Sequence, residues 1–162
     1  MVNAIGAKEK KKLEVDIFSD SKTYHSLEKL LQNKKWKEAD LETKYIMLKF
    51  AGRIDQGWLD KSSLKKFPTK VIIEIDELWR QYSDERFGFA TQKRIYLETG
   101  NKLEQINWET YNHFGEKVGW REGGMWKNYF DLDFSLNSPE GHLPFCCSGF
   151  DVCIIADLLK DL

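Results

Sequence analysis

The stretch KVIIEIDELWRQYSDERFGFATQKRIYLETG, residues 70–100, decides the fold class. Ile72, Ile75, Leu78, Trp79 and Tyr82 recur at helical spacing and form one apolar stripe. Ser83-Asp84-Glu85-Arg86 interrupts that stripe. Phe87-Gly88-Phe89 then leads into a second, shorter helix that carries Ile95 and Tyr96 and closes at Gly100. Neither segment shows the strict alternation of a half-buried strand, so the reading is two successive helices.

The same period extends towards the N-terminus. Tyr24, Leu27, Leu30 and Leu31 form one stripe, with Asp20 or Ser21 as its cap. After the short link Asn33-Lys34-Lys35, a second stripe carries Trp36, Ala39, Thr43, Ile46, Met47 and Phe50 and stops at Gly52. So short a link predicts an antiparallel helical hairpin. Residues 53–70 read as a loop, with Pro68 able to open the next helix. A further helix is expected from about Leu103 to Phe114, and a terminal amphipathic helix through Val152, Ile155, Leu158, Leu159 and Leu162.

Between Gly115 and Gly149 the pattern changes. Glycines and two prolines break any long helical window, yet Trp120, Trp126, Tyr129, Phe130, Phe134 and Phe145 crowd into it. Loop segments with so much aromatic surface either bury it on a scaffold or present it to a ligand. The expected architecture is all-α: a compact bundle of several short helices with aromatic-rich loops. Residues 1–20 are expected to be a flexible N-terminal segment and 21–162 one helical domain.

Composition narrows the function. The 162 residues suit one domain, and a net charge of −1 gives no field for nucleic acid or an anionic membrane. A mean hydropathy of −0.55 and the lack of a long apolar run exclude a membrane span from this reading. Residues 1–12 have no apolar core of a secretory signal. Cys146, Cys147 and Cys153 cluster near the C-terminus and make no disulfide framework, which favours a reducing compartment. His142 beside Cys146 and Cys147 is the one arrangement open to nucleophilic catalysis or zinc, and it has the spacing of neither. Asp131 and Asp133 read as solvated surface, and no phosphate-binding glycine loop occurs. On spacing alone, an apolar-ligand site and a protein-interaction surface remain open.

Three blocks carry a resemblance. LLQNKKWKEADLETKYIMLK (residues 30–49) presents Leu30, Leu31, Trp36, Ala39, Asp40 and Thr43. IDELWRQYSDERFGFATQKRIY (75–96) presents Asp76, Leu78, Trp79, Tyr82, Phe87, Gly88, Phe89, Gln92 and Tyr96. FGEKVGWREGGMWKNYFDLDFSLNSPEGHLP (114–144) presents Val118-Gly119-Trp120-Arg121, Trp126, Phe134, Pro139 and Gly141-His142-Leu143-Pro144. In this order they resemble the genomes-uncoupled (GUN4-like) porphyrin-binding family, the accessory activators of magnesium chelatase.

The resemblance implies that residues 21–162 form a porphyrin-binding domain for protoporphyrin IX and magnesium protoporphyrin IX. It implies a non-catalytic regulator with no cofactor of its own, which engages the large porphyrin-binding subunit of magnesium chelatase. A cyanobacterial cytoplasm or plastid stroma and a monomeric state are the expected setting, with peripheral membrane association left open. The alternative is a sensory or interaction module of the same fold that binds a bilin or haem.

The resemblance further implies that the helical bundle has a cupped ligand-binding hollow, flanked by residues 134–145 and about 52–68. Leu31, Trp58 and Trp120 are expected beside it. Arg53 and Arg121 are expected at a wet rim, because propionates need cationic partners. Phe134, Leu143 and Phe145 are expected to form a mobile lid. Asn137 is expected to offer the oxygen ligand that magnesium prefers. His142 is expected to structure its loop, although it is also the natural ligand for a haem-type iron. Glu140 stands in that loop where a basic residue would serve propionates better.

Overall fold

A computed structural model describes residues 22–103, 105–145, 160 and 162. Six α-helices occur among them: α1 Lys22–Gln32, α2 Trp36–Phe50, α3 Lys61–Leu64, α4 Thr69–Ser83, α5 Phe89–Glu98 and α6 Trp108–Lys117. A two-stranded antiparallel hairpin follows, β1 Arg121–Glu122 with β2 Met125–Trp126, and then a single 3-10 turn at Tyr129–Asp131. The all-α reading holds, with the hairpin as a small addition.

The α1–α2 turn uses Lys34 in the left-handed region, and Gly52 takes that conformation after α2. α1 packs on α2 and α4, as a helical hairpin requires. Leu27, Leu31, Ala39, Ile46, Met47, Val71, Ile72 and Ile75 lie in the shared core. An aromatic trio joins α2, α4 and the α4–α5 turn. Trp36 stacks on Trp79 at 6.1 Å, and Phe87 meets both edge-on at 5.5 and 6.3 Å. Trp79 Nε1 donates to Thr43 Oγ1 at 2.9 Å, so the one polar atom of that buried indole is satisfied.

α5 begins without a cap of its own. Its N-cap is Gly88, at φ 122°, which has no side chain to offer. Asp76 of α4 supplies the acceptor instead: its Oδ1 takes the Ala90 N–H at 2.8 Å. A Cβ on Gly88 would stand 2.7 Å from that same oxygen, so glycine is required here by both backbone conformation and space. Burial pushes the Asp76 carboxyl up, against the opposing pull of the Ala90 N–H and Arg80.

Two expectations need correction. α6 starts at Trp108, not near Leu103, because Asn107 caps it by accepting from the N–H groups of Glu109 and Thr110. The chain before it makes an isolated bridge between Lys102 and Gln105. The loop 53–70 contains α3, started by a reciprocal cap between Asp60 and Ser63. The hairpin was not expected at all. The expected terminal helix up to Leu159, the N-terminal caps and all three cysteines lie outside the described residues.

Candidate functional site

The segment after the hairpin crosses the N-terminal half of α2, and Asp40 holds it there. Asp40 is buried on α2. Its Oδ2 accepts the Tyr129 hydroxyl at 2.9 Å, and its Oδ1 accepts the Phe145 N–H at 2.6 Å. One carboxylate thus ties down both ends of residues 129–145. Between these ends Tyr129 contacts Phe134 at 5.2 Å and Phe145 at 6.1 Å, centroid to centroid.

This bracing holds two rings beside Lys37. The Lys37 ammonium sits 5.9 Å from the Phe130 centroid and 5.7 Å from that of Phe134. Phe130 is 86% exposed. Lys37, Leu41 and Tyr45 follow at i, i+4 and i+8, so they line one strip of α2. Leu41 and Tyr45 are about half exposed, at 50% and 49%. The combination is an apolar, aromatic surface with a cation at one end. It suits a flat apolar ligand that carries an acidic group.

A second exposed aromatic stands on the turn that follows α2. Trp58 is 57% exposed, and the Arg53 guanidinium lies 4.5 Å from its ring centroid. Arg53 Nε also donates to the Trp58 carbonyl at 3.0 Å, and Nη1 pairs with Asp60 at 3.0 Å. Arg53 therefore acts first as the brace of this turn.

The expected site residues divide sharply. Leu31, Trp120, His142 and Leu143 are core residues. Trp120 Nε1 donates to the His142 carbonyl at 2.7 Å, and its ring packs on Phe114 and Phe145. Arg121 pairs with Glu116 and donates to the Gly124 carbonyl. Phe134 and Phe145 are partly buried against the core. Asn137 is exposed, with its N–H donating to Ser135 Oγ at 3.1 Å. Glu140 pairs with Arg94 at 2.7 Å.

The expected lid is corrected over residues 138–145, because that stretch is pinned along its length. Arg86 donates twice to the Ser138 carbonyl. Gln92 Nε2 donates to the carbonyls of Gly141 and Pro144, and the Gly88 N–H to that of Leu143. Leu143 is 0% exposed, so it has no apolar surface left to close over a ligand. His142 does structure this stretch: its Nδ1 lies 2.6 Å from the Val118 carbonyl. Burial pushes the His142 ring below the usual histidine value, with the Val118 contact opposing. A ring enclosed in this way offers no nitrogen to a metal at the surface.

Asp131 and Asp133 are exposed, as expected. Among the described residues no group of three or more potential ligands gathers to hold a metal ion, and no helix is long and apolar enough to cross a membrane. An open recess of about 370 Å³ lies along α6, lined by Glu109, Thr110, Asn112, His113, Glu116 and Arg121. Its lining is polar and charged, with no Phe, Tyr or Trp, so it does not match a flat apolar ligand.

Sequence reasoning missed Lys37, Leu41, Tyr45 and Phe130. The first three were visible as an i, i+4, i+8 series on the polar side of α2. Phe130 was visible as an aromatic residue outside any helical stripe.

Known proteins support the architecture. The chain is 36% identical over 128 residues to the ycf53 protein of Porphyra purpurea, covering 76% of this chain and 50% of that one. It is 29% identical over 124 residues to a Ycf53-like protein of Synechocystis, covering 75% and 50%. It is 28% identical over 130 residues to the chloroplastic tetrapyrrole-binding protein of Arabidopsis thaliana, covering 73% and 46%. The chain thus spans about half the length of these relatives. In fold it matches the ligand-free structure of Arabidopsis thaliana GUN4, with a TM-score of 0.74 at 23% identity over 88% of this chain and 94% of that one. It also matches GUN4 from Chlamydomonas reinhardtii, with a TM-score of 0.67 at 22% identity over 86% and 87%. The family model described as GUN4-like matches residues 18–160, nearly the whole of the chain, and the chain belongs to the GUN4-like family.

Proposed function

We propose that this chain binds a tetrapyrrole, protoporphyrin IX or magnesium protoporphyrin IX, against the strip of Leu41 and Tyr45 and the rings of Phe130 and Phe134. The observation that carries this reading is Phe130, 86% exposed on a segment that Asp40 braces at both ends. A large apolar ring held out in water by a rigid support is a feature that ligand burial explains. At about 25 cal/mol per Å² of apolar surface covered, a macrocycle lying on these rings gains several kcal/mol before ordering costs. The name of the Arabidopsis thaliana relative, a tetrapyrrole-binding protein, supports the same ligand class.

Family membership supports a finer reading. The chain is a non-catalytic regulator that stimulates magnesium chelatase through its large porphyrin-binding subunit, in a cyanobacterial cytoplasm or plastid stroma. Relatives in a cyanobacterium, a red alga and a chloroplast support that setting. Trp58 and Arg53 form the second flank of the ligand, and Asn137 is the candidate oxygen ligand for bound magnesium.

Titration with magnesium protoporphyrin IX tests the binding. The expected result is saturable quenching of tryptophan emission with a shift of the porphyrin's main absorption band. Unchanged spectra would end the reading. Adding the chain to a reconstituted chelatase tests the regulatory part, with faster magnesium insertion expected and an unchanged rate contradicting it.

A further inference from the structure

We infer that Lys37 is the residue that reads the ligand's carboxylate, and that the arginines do not. The inference rests on the tetrapyrrole reading above and assigns the polar contact within that same site.

The argument begins with elimination. Every arginine of the chain is engaged inside the fold. Arg53 pairs with Asp60, Arg80 with Asp76 and Glu85, Arg94 with Glu98 and Glu140, and Arg121 with Glu116. Arg86 donates to the Ser138 carbonyl. A ligand carboxylate would have to compete with these internal partners for each of them.

Lys37 is different. It is exposed, its ammonium stands beside the Phe130 and Phe134 rings, and among the described residues no carboxylate pairs with it. An ammonium beside two aromatic faces is partly desolvated on the ring side and open on the other. A macrocycle lying on those rings would cover more of that ammonium, which strengthens its attraction to an anion at the ligand's edge. Propionates at the edge of a porphyrin supply such an anion. One cation thereby fixes which edge of the macrocycle points towards the N-terminal end of α2, so Lys37 acts as a specificity determinant as well as an anchor.

The test compares protoporphyrin IX with its dimethyl ester, at the same detergent concentration, on wild type, Lys37→Met and Lys102→Met. Lys102 is also exposed and lies outside both flanks of the site, so its replacement removes the same charge elsewhere. Lys37→Met should weaken the free acid about tenfold, the scale of one charge-assisted contact, and leave the ester unchanged. Lys102→Met should leave both unchanged. Equal loss for acid and ester, or no loss for either, would overturn the assignment while leaving tetrapyrrole binding intact. Failure of wild type to bind either porphyrin would overturn the tetrapyrrole reading and this inference with it. Melting curves of both variants check that the exposed substitutions leave the fold unaffected.

Discussion

Asp40 accepts the Tyr129 hydroxyl on one carboxylate oxygen, 89 positions along the chain, and the Phe145 N–H on the other. This single buried side chain couples α2 to both ends of the aromatic segment. The exposed Phe130 and the partly buried Phe134 between those ends are therefore held in place by a polar contact in the interior.

Removing that carboxylate should loosen the segment before it unfolds the domain. Asp40→Ala leaves a buried N–H and a hydroxyl without their acceptor, at a cost of about 2–4 kcal/mol. Tyr129→Phe loses only one hydrogen bond and should cost about 1 kcal/mol. Urea denaturation measures both. Hydrogen exchange at the Phe145 amide should accelerate more in Asp40→Ala than in Tyr129→Phe, and equal rates would contradict the shared-carboxylate account.

Gly88→Ala should destabilise by more than an ordinary glycine replacement. The new Cβ would meet Asp76 Oδ1 at 2.7 Å and Arg80 Cγ at 3.0 Å, on a backbone at φ 122°. A loss of about 2–4 kcal/mol is expected, combining backbone strain with the lost cap on α5. Because Asp76 causes much of the clash, the double change with Asp76→Ala should cost less than the sum of the single changes. A strictly additive double mutant would contradict this.

Leu143→Ser should act on stability. It removes a fully buried leucine and leaves a hydroxyl in the core, a loss of about 3–5 kcal/mol. A folded, fully stable Leu143→Ser with faster porphyrin release would show that this residue is a lid after all.

Acid should weaken the fold through His142. Its folded value lies below the ordinary 6.5, chiefly because burial disfavours the charged ring. The unfolded chain then binds the proton more readily than the folded one. The stability held by the neutral ring is complete above about pH 6.5 and falls as the pH drops below it, towards the folded value. His142→Asn, whose amide can still donate to the Val118 carbonyl, should flatten that part of the stability profile. An unchanged slope between pH 6.5 and 5 would contradict the assignment.

The helices were legible because their apolar periodicity is long. The GUN4-like resemblance was legible for a related reason. Asp76, Trp79, Phe87, Gly88, Phe89 and Gln92 stand out in the sequence, and all of them build the interior: a cap, an aromatic trio and a pin on the 138–145 strap. Residues of that kind mark the scaffold, so several candidates drawn from the same motifs, Trp120, His142 and Leu143 among them, turned out to be scaffold too. The hairpin at 121–126 was not legible because strands of two residues show no alternation. Lys37 was missed because an exposed lysine reads as solvated surface, and Phe130 because the sequence marks the aromatic segment without telling which of its rings stay exposed. Only the fold brings them together across 93 positions of sequence.

The measurement that tests the central claim most directly is the affinity of Phe130→Ser for magnesium protoporphyrin IX. Phe130 is exposed, so the variant should fold with unchanged stability. If the ring is the ligand's platform, the dissociation constant should rise about tenfold or more, as the loss of one to two kcal/mol of apolar contact requires. A folded variant that binds with wild-type affinity would show that the macrocycle does not lie on this segment.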